Sequence, residues 1–260
     1  ETILSPSAFV SGTNLLAVEV HKNNGTNPYL AFDLSLTADA TTTAPSPSMS
    51  TLVRGPYLQM GTPTSMVIRW RSATSTDSRV SFGDSPTRLS FAATNPMLTT
   101  EHSIRLTNLN PNTRYFYAVG STAQSLAGGD DNHYFITAPN GSKPTRVWVL
   151  GDAGTNTDAQ RTVRDAYTRF TGANYTDLWL LLGDNAYVDG TDSEYQKAFF
   201  DLYPSLLRQS VVWTTLGNHD TAGSASPPDD LPYYQMFTFP QNGEAGGIAS
   251  GTKDYYAFDY

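Results

Sequence analysis

Apolar and polar positions alternate through the first half of the chain and recur at helical spacing in the second. Between Leu52 and Pro139, Met66, Ile68 and Trp70 fall on one face of an alternating run, with Thr64, Val67 and Arg69 off it. After the turn-forming stretch Leu109–Thr113 the alternation resumes at Tyr115, Tyr117 and Val119. Period-two patterning interrupted by Gly, Pro and Asn predicts an all-β module with Trp70 and Tyr115 in its core. Upstream, residues 15–36 read as two more alternating strands around Asn23, Asn24 and Gly25. A lone hairpin is marginal in water, so this pair predicts the last hairpin of a further, incomplete sandwich. The small, polar, Pro-bearing stretch that follows is a linker by composition.

Beyond Lys143 and Pro144 the pattern changes to short apolar runs with helical periodicity between them. The runs "RVWVLGD", "DLWLLLGD" and "VVWTTLGNHD" read as buried strands. Ala159, Val163, Ala166, Tyr167 and Phe170 recur at helical spacing between the first two. Thr191 and Glu194 form a capping box ahead of Tyr195, Ala198, Phe199 and Leu202, the apolar face of the next helix. Strands alternating with helices imply a parallel sheet with helices over both faces and ligands beyond the carboxyl ends of its strands. The organisation expected is 1–38, the end of a jelly-roll-like sandwich; 39–51, a linker; 52–139, a second sandwich; and 140–260, the first half of an α/β domain.

Charge refines this. The chain of 260 residues carries a net charge of −8, which argues against a nucleic-acid partner. Residues 1–140 hold 8 basic and 9 acidic side chains, the remainder 8 and 15. An acidic α/β half that handles anions needs something positive, such as a metal, to reverse its local field. Cysteine is absent, which excludes disulfides, thiolate metal sites and Cys nucleophiles. No apolar run approaches the ~20 residues of a membrane-spanning helix. The opening Glu1 reads as a processed or cut end.

The three strand-like runs end alike, in Gly151–Asp152–Ala153–Gly154, Gly183–Asp184–Asn185–Ala186–Tyr187 and Gly217–Asn218–His219–Asp220. Each interval fits one βαβ repeat of roughly 30 residues, so parallel strands would bring the tips to one edge. Gly-Asp after a single strand is an ordinary turn; three in step suit oxygen donors gathered around a pair of hard cations. Two carboxylates brought together would otherwise repel, and one would keep its proton. Asp189, Asp192, Asp229 and Asp230 read as solvated or capping residues.

The succession GDxG, GDxxY, GNHD resembles the first three motif blocks of the purple acid phosphatases, a branch of the calcineurin-like metallophosphoesterases. The sandwich upstream resembles the fibronectin type III-like domain that precedes the catalytic domain in that family, including a corner tyrosine at Tyr115. Ser250–Tyr260 resembles the strand leading into its next segment. The resemblance implies a dinuclear centre of Fe(III) with Fe(II), Zn(II) or Mn(II), hydrolysing phosphate monoesters. Asp152 and Tyr187 would hold the first metal, Asp184 would bridge both and Asn218 would hold the second. His219 would touch the substrate phosphate as the catalytic side chain, with Asp220 orienting its imidazole.

Two departures matter. Gly154 stands where the wider superfamily commonly carries the histidine of D-x-H, a loss that accompanies the gain of Tyr187. The later V-x-x-H and G-H-x-H motifs are absent, and His21, His102 and His133 lie in predicted β modules. The chain is therefore expected to be a fragment with part of the ligand set, little activity and weak metal affinity. Two alternatives stay open: a phosphodiester or nucleotide substrate at the same metals, or a non-catalytic surface protein whose N-terminal sandwich contacts glycans. Sandwiches, linker and hydrolase in one cysteine-free chain suit a secreted or cell-surface protein.

Overall fold

The computed structural model describes residues 49–222 and 230–260; the N-terminal hairpin, His21, Asp229 and nearly all of the linker lie outside them. The sandwich strands are β1 (Leu52–Gln59), β2 (Met66–Gly83), β3 (Phe91–Leu106), β4 (Arg114–Gly120), β5 (Ser125–Gly128) and β6 (Tyr134–Ile136), followed by β7 (Val147–Leu150), α1 (Asp158–Thr171), β8 (Leu178–Leu181), α2 (Asp192–Tyr195), α3 (Pro204–Leu207), β9 (Val211–Thr214) and α4 (Pro232–Met236). Within the sandwich all pairings are antiparallel, with β2 flanked by β1, β3 and β4. β7, β8 and β9 are parallel and in step, Leu150 beside Leu181 and Leu181 beside Thr214. One parallel pairing, Leu58 with Val211, joins the two halves into a single mixed sheet.

Alternation in the sandwich holds where it was read. Met66, Ile68 and Trp70 are fully buried, as are Tyr117 and Val119, and Tyr115 is nearly so. The Tyr115 hydroxyl accepts the Asn110 N–H at 2.9 Å, tying the turn to the strand it enters. The off-face positions differ from expectation: Val67 and Arg69 are also buried. Arg69 donates to Thr238 Oγ1 and to the Gln235 carbonyl, so the second face of β2 is covered by the α/β half and not by water.

The two faces of the parallel strands have different partners. Trp148, Trp179, Leu181 and Val212 face a cluster with Phe199, Phe200, Tyr203 and Phe237. Leu178, Val211 and Trp213 join the sandwich core of Leu58, Met66, Ile68 and Trp70. Helices therefore cover one face of β8 and β9, and the sandwich covers the other; the expectation of helices on both faces is corrected accordingly. Trp213 also stacks on Phe258 at 3.9 Å, which places the C-terminal segment against the same face.

α1 forms where its periodicity predicts, with Thr157 capping Gln160 N–H, and Tyr167 stacks on Trp148 at 4.0 Å, but the rest of its apolar face is turned outward. Val163 and Phe170 are exposed, while Gln160 and Thr171 are buried. Gln160 donates to the Ala198 carbonyl (2.8 Å) and the Tyr203 hydroxyl (3.0 Å), and Arg164 to the Leu202 carbonyl (3.0 Å). The capping box is present: Thr191 accepts from Glu194 N–H, and Glu194 returns the bond. The helix it starts passes after one turn into a π turn, Gln196–Phe200, which buries Ala198, Phe199 and Leu202 as anticipated. Carbonyls not used as in a regular α-helix need outside donors, and Gln160 supplies one.

Candidate metal centre

Each tip is a backbone device before it is a chemical one. Asp152 and Asp184 both lie in the left-handed region, φ 54° and 52°, which Asp tolerates better than most side chains. The Asp152 N–H donates to Gly183 O at 3.1 Å. Gly154 N–H then donates to Asp184 O at 3.0 Å, and Tyr187 N–H to Gly154 O at 2.9 Å. A Cβ on Gly154 would lie 2.2 Å from the Asn185 carbonyl carbon. The space a side chain would take at this position is thus filled by the neighbouring tip's backbone, which is the physical reason glycine stands there. At the third tip a Cβ on Gly217 would meet Asp184 Oδ1 at 2.1 Å.

Three of the five candidate side chains converge directly. The Tyr187 hydroxyl lies 2.9 Å from Asp184 Oδ2 and 3.3 Å from Asp152 Oδ1. Asp184, buried at 7% exposure, takes the His219 backbone N–H on Oδ1 at 3.0 Å. Asn218 is exposed between Gly217 and His219, both of which touch Asp184. The imidazole of His219 packs on the Tyr187 ring, centroids 4.4 Å apart.

Asp220 does not orient that imidazole. Its carboxylate is fully buried and accepts from Tyr195 OH (2.6 Å), Gly217 N–H (2.8 Å), Asn185 N–H (3.0 Å) and Asn185 Nδ2 (2.9 Å). Burial pushes its carboxyl above the usual aspartate range, while the donors oppose that shift. Asp220 ties the second tip to the third; His219 Nδ1 instead meets the Val188 carbonyl at 2.7 Å. The signal for this was in the sequence, since Tyr195 and Asn185 supply donors, but nothing in their spacing says they meet Asp220.

The donor set fits a cation. Two carboxylates face one phenol that has a single proton to share, and among the described residues no ion pair reaches Asp152 or Asp184. Burial, then the Asp184 bond and both negative charges, push the Tyr187 phenol upward; a bound metal would invert that field. Among the described residues no three His, Cys, Asp or Glu side chains gather as a metal group, so a metal here would draw on phenolate and carboxamide as well as carboxylate. His102 and His133 lie elsewhere: His102 bonds Ser72 and Ser78, and His133 bonds Asp130.

Comparison with known proteins agrees with this layout. Residues 145–257 match the calcineurin-like phosphoesterase family, and residues 53–138 match the purple acid phosphatase N-terminal domain. The second half of the chain is thus of the calcineurin-like phosphoesterase class. With both domains in this order, the chain belongs to the purple acid phosphatase family. Purple acid phosphatase 15 of Arabidopsis thaliana is 27% identical over 183 residues, covering 61% of this chain and 32% of that protein. A second relative from the same plant, named probable inactive purple acid phosphatase 9, is 26% identical over 192 residues, covering 58% and 28%. The chain therefore spans about a third of the length of these relatives. A purple acid phosphatase from yellow lupin (Lupinus luteus) seeds shares the fold, with a TM-score of 0.53 and 17% identity over 75% of this chain and 42% of its own.

Proposed function

We propose that the protein takes part in metal-dependent hydrolysis of phosphate monoesters at a dinuclear centre, Fe(III) with Fe(II), Zn(II) or Mn(II). This chain contributes Asp152, Asp184, Tyr187 and Asn218 as ligands, and His219 meets the substrate phosphate. The observation that carries the reading is the meeting of the Asp152 and Asp184 carboxylates on one phenol, with no ion-pairing Lys, Arg or His of the described residues beside them. A bound metal pair would supply Lewis acidity toward the phosphoryl oxygens and make water a better nucleophile. The chain's own residues set the stage. Asp184 is held by the His219 amide, Asp220 locks the tips to one another, and His219 keeps its proton on Nδ1 because that nitrogen faces a carbonyl. Nε2 is then the nitrogen available to a phosphate oxygen or its proton.

The sandwich is read as fibronectin type III-like on the strength of its tyrosine corner, and the chain as a fragment of a secreted or cell-surface enzyme. No helix among the described residues is long and apolar enough to cross a membrane. The test, made on the full-length protein, sets metal content beside p-nitrophenyl phosphate turnover for wild type and Asp184→Ala. Loss of metal from the variant is the expected result; equal metal content in the two sinks the assignment. Metal uptake without turnover of monoesters or diesters would favour the non-catalytic, glycan-contacting alternative.

A further inference from the structure

The loop after Tyr187 is gripped by one carboxylate. Glu194 Oε1 accepts the Val188 N–H at 2.6 Å, and Oε2 accepts the Asp189 N–H at 3.2 Å, the Thr191 N–H at 2.9 Å and the Thr191 hydroxyl at 2.8 Å. A capping box accounts for the Thr191 bonds alone. Val188 and Asp189 precede the helix, and a cap asks nothing of them. Burial opposes the charge on Glu194, yet these donors outweigh it and hold the carboxyl below its usual range.

The peptide unit joining Val188 to Asp189 has a partner at each end. Its N–H goes to Glu194 Oε2, and its carbonyl takes Nδ1 of His219 at 2.7 Å. In a planar trans peptide the N–H and C=O point in opposite directions, so the carboxylate that captures one end aims the other. That carbonyl in turn requires the proton of His219 to sit on Nδ1 and leaves Nε2 without a protein partner among the described residues.

α2, which carries Glu194, is itself pinned by the sandwich through Asp192, so this residue is neither simply solvated nor a cap. Arg71 grips the Asp192 carboxylate with two bonds of 2.7 Å, and Nη2 of the buried Arg54 reaches both its oxygens at 3.0 Å. Arg54 also donates to Gln196 Oε1 at 2.8 Å and lies over the Phe200 ring at 4.4 Å. Forked Arg–carboxylate pairs fix direction as well as distance.

We infer that Glu194 is a positioning residue: it sets the direction of the Val188 carbonyl and thereby the tautomer and ring orientation of His219, with Arg54 and Arg71 transmitting the sandwich's position through Asp192. Its role in turnover rests on the phosphatase reading; its geometry does not. The test is NMR on the isotopically labelled, metal-free 260-residue chain, reading the His219 ring nitrogens and amide exchange. Wild type should show the Nδ1–H form. Glu194→Gln should speed exchange at Val188 and Asp189 about tenfold or more and mix the His219 tautomers. The Asn185 and Gly217 amides, held by Asp220, should stay protected, and Glu194→Asp should recover part of the effect. Arg71→Ala should shift the same signals less, and it reads them if Glu194→Gln does not fold. An unchanged His219 tautomer, or equal deprotection of Asn185 and Gly217, overturns the inference. A separate zinc titration of the full-length protein bears on the metal reading: no uptake would count against that centre while leaving the tautomer result standing.

Discussion

Two polar clusters in this chain show how differently burial can be resolved. In the sandwich, His102 is fully buried, bonded to Ser72 at 2.7 Å and Ser78 at 2.8 Å, and stacked on Trp70 at 4.7 Å. Every polar atom of that ring has a partner, so the cluster is complete without a ligand. At the strand tips, Asp152, Asp184 and Tyr187 offer more acceptors than protons. The first arrangement is what a core makes of a polar residue; the second leaves acceptors open to a cation. Histidine, the residue type most suggestive of metal, is structural at His102, and the carboxylates that look like turns are the ones left facing each other.

The comparison can be broken most severely at Gly154. Gly154→Ala drives a methyl into the Asn185 backbone and should cost about 3 kcal/mol, as overpacking against backbone does, read as a lowered urea midpoint together with lost metal binding. Next, Asp184→Asn should weaken metal binding about 100-fold, or about 2.7 kcal/mol, by calorimetric titration, with little change in melting temperature. A large fall in melting without loss of metal would place Asp184 with His102 among the structural groups.

The third prediction concerns pH. Burial lowers the His102 pKa from 6.5 to about 4, so the unfolded chain takes up a proton that the folded one refuses. The stability tied to this group is present above pH 6.5 and is lost as pH falls toward 4, on the order of 3 kcal/mol in all. Denaturation across that window should show the slope in wild type and a shallower one in His102→Gln. The smallest effect belongs to Tyr115→Phe, which removes one hydrogen bond to Asn110 and should cost about 1 kcal/mol with metal binding unchanged.

Much of this was legible beforehand, and the misses have physical causes. The strands around Met66–Trp70 and Tyr115–Val119 were readable because one-sided burial imposes period two. The burial of Val67 and Arg69 was not, because it depends on what the second half of the chain lays over β2. α1 had a correct location and a rotated inward face: Tyr167 packs on Trp148 as its spacing suggests, but Ala159, Val163 and Phe170 stay outside because the Ala198 and Leu202 carbonyls select the side that can donate, Gln160 and Arg164. Among the candidate site residues, the meeting of Asp152, Asp184 and Tyr187 was legible because parallel strands of equal repeat length must deliver their ends to one edge.

The amino-acid order on its own determined that a sandwich precedes an α/β domain, where the strand tips fall, and the family, since these depend on periodicity and on the intervals between motifs. Only the tertiary structure decided that Asp220 clamps the tips while Val188 orients His219, and that Asp192 answers to two arginines more than a hundred residues earlier. Local patterns report which face of an element is apolar; which carboxylate meets which donor is settled by where distant segments come to rest.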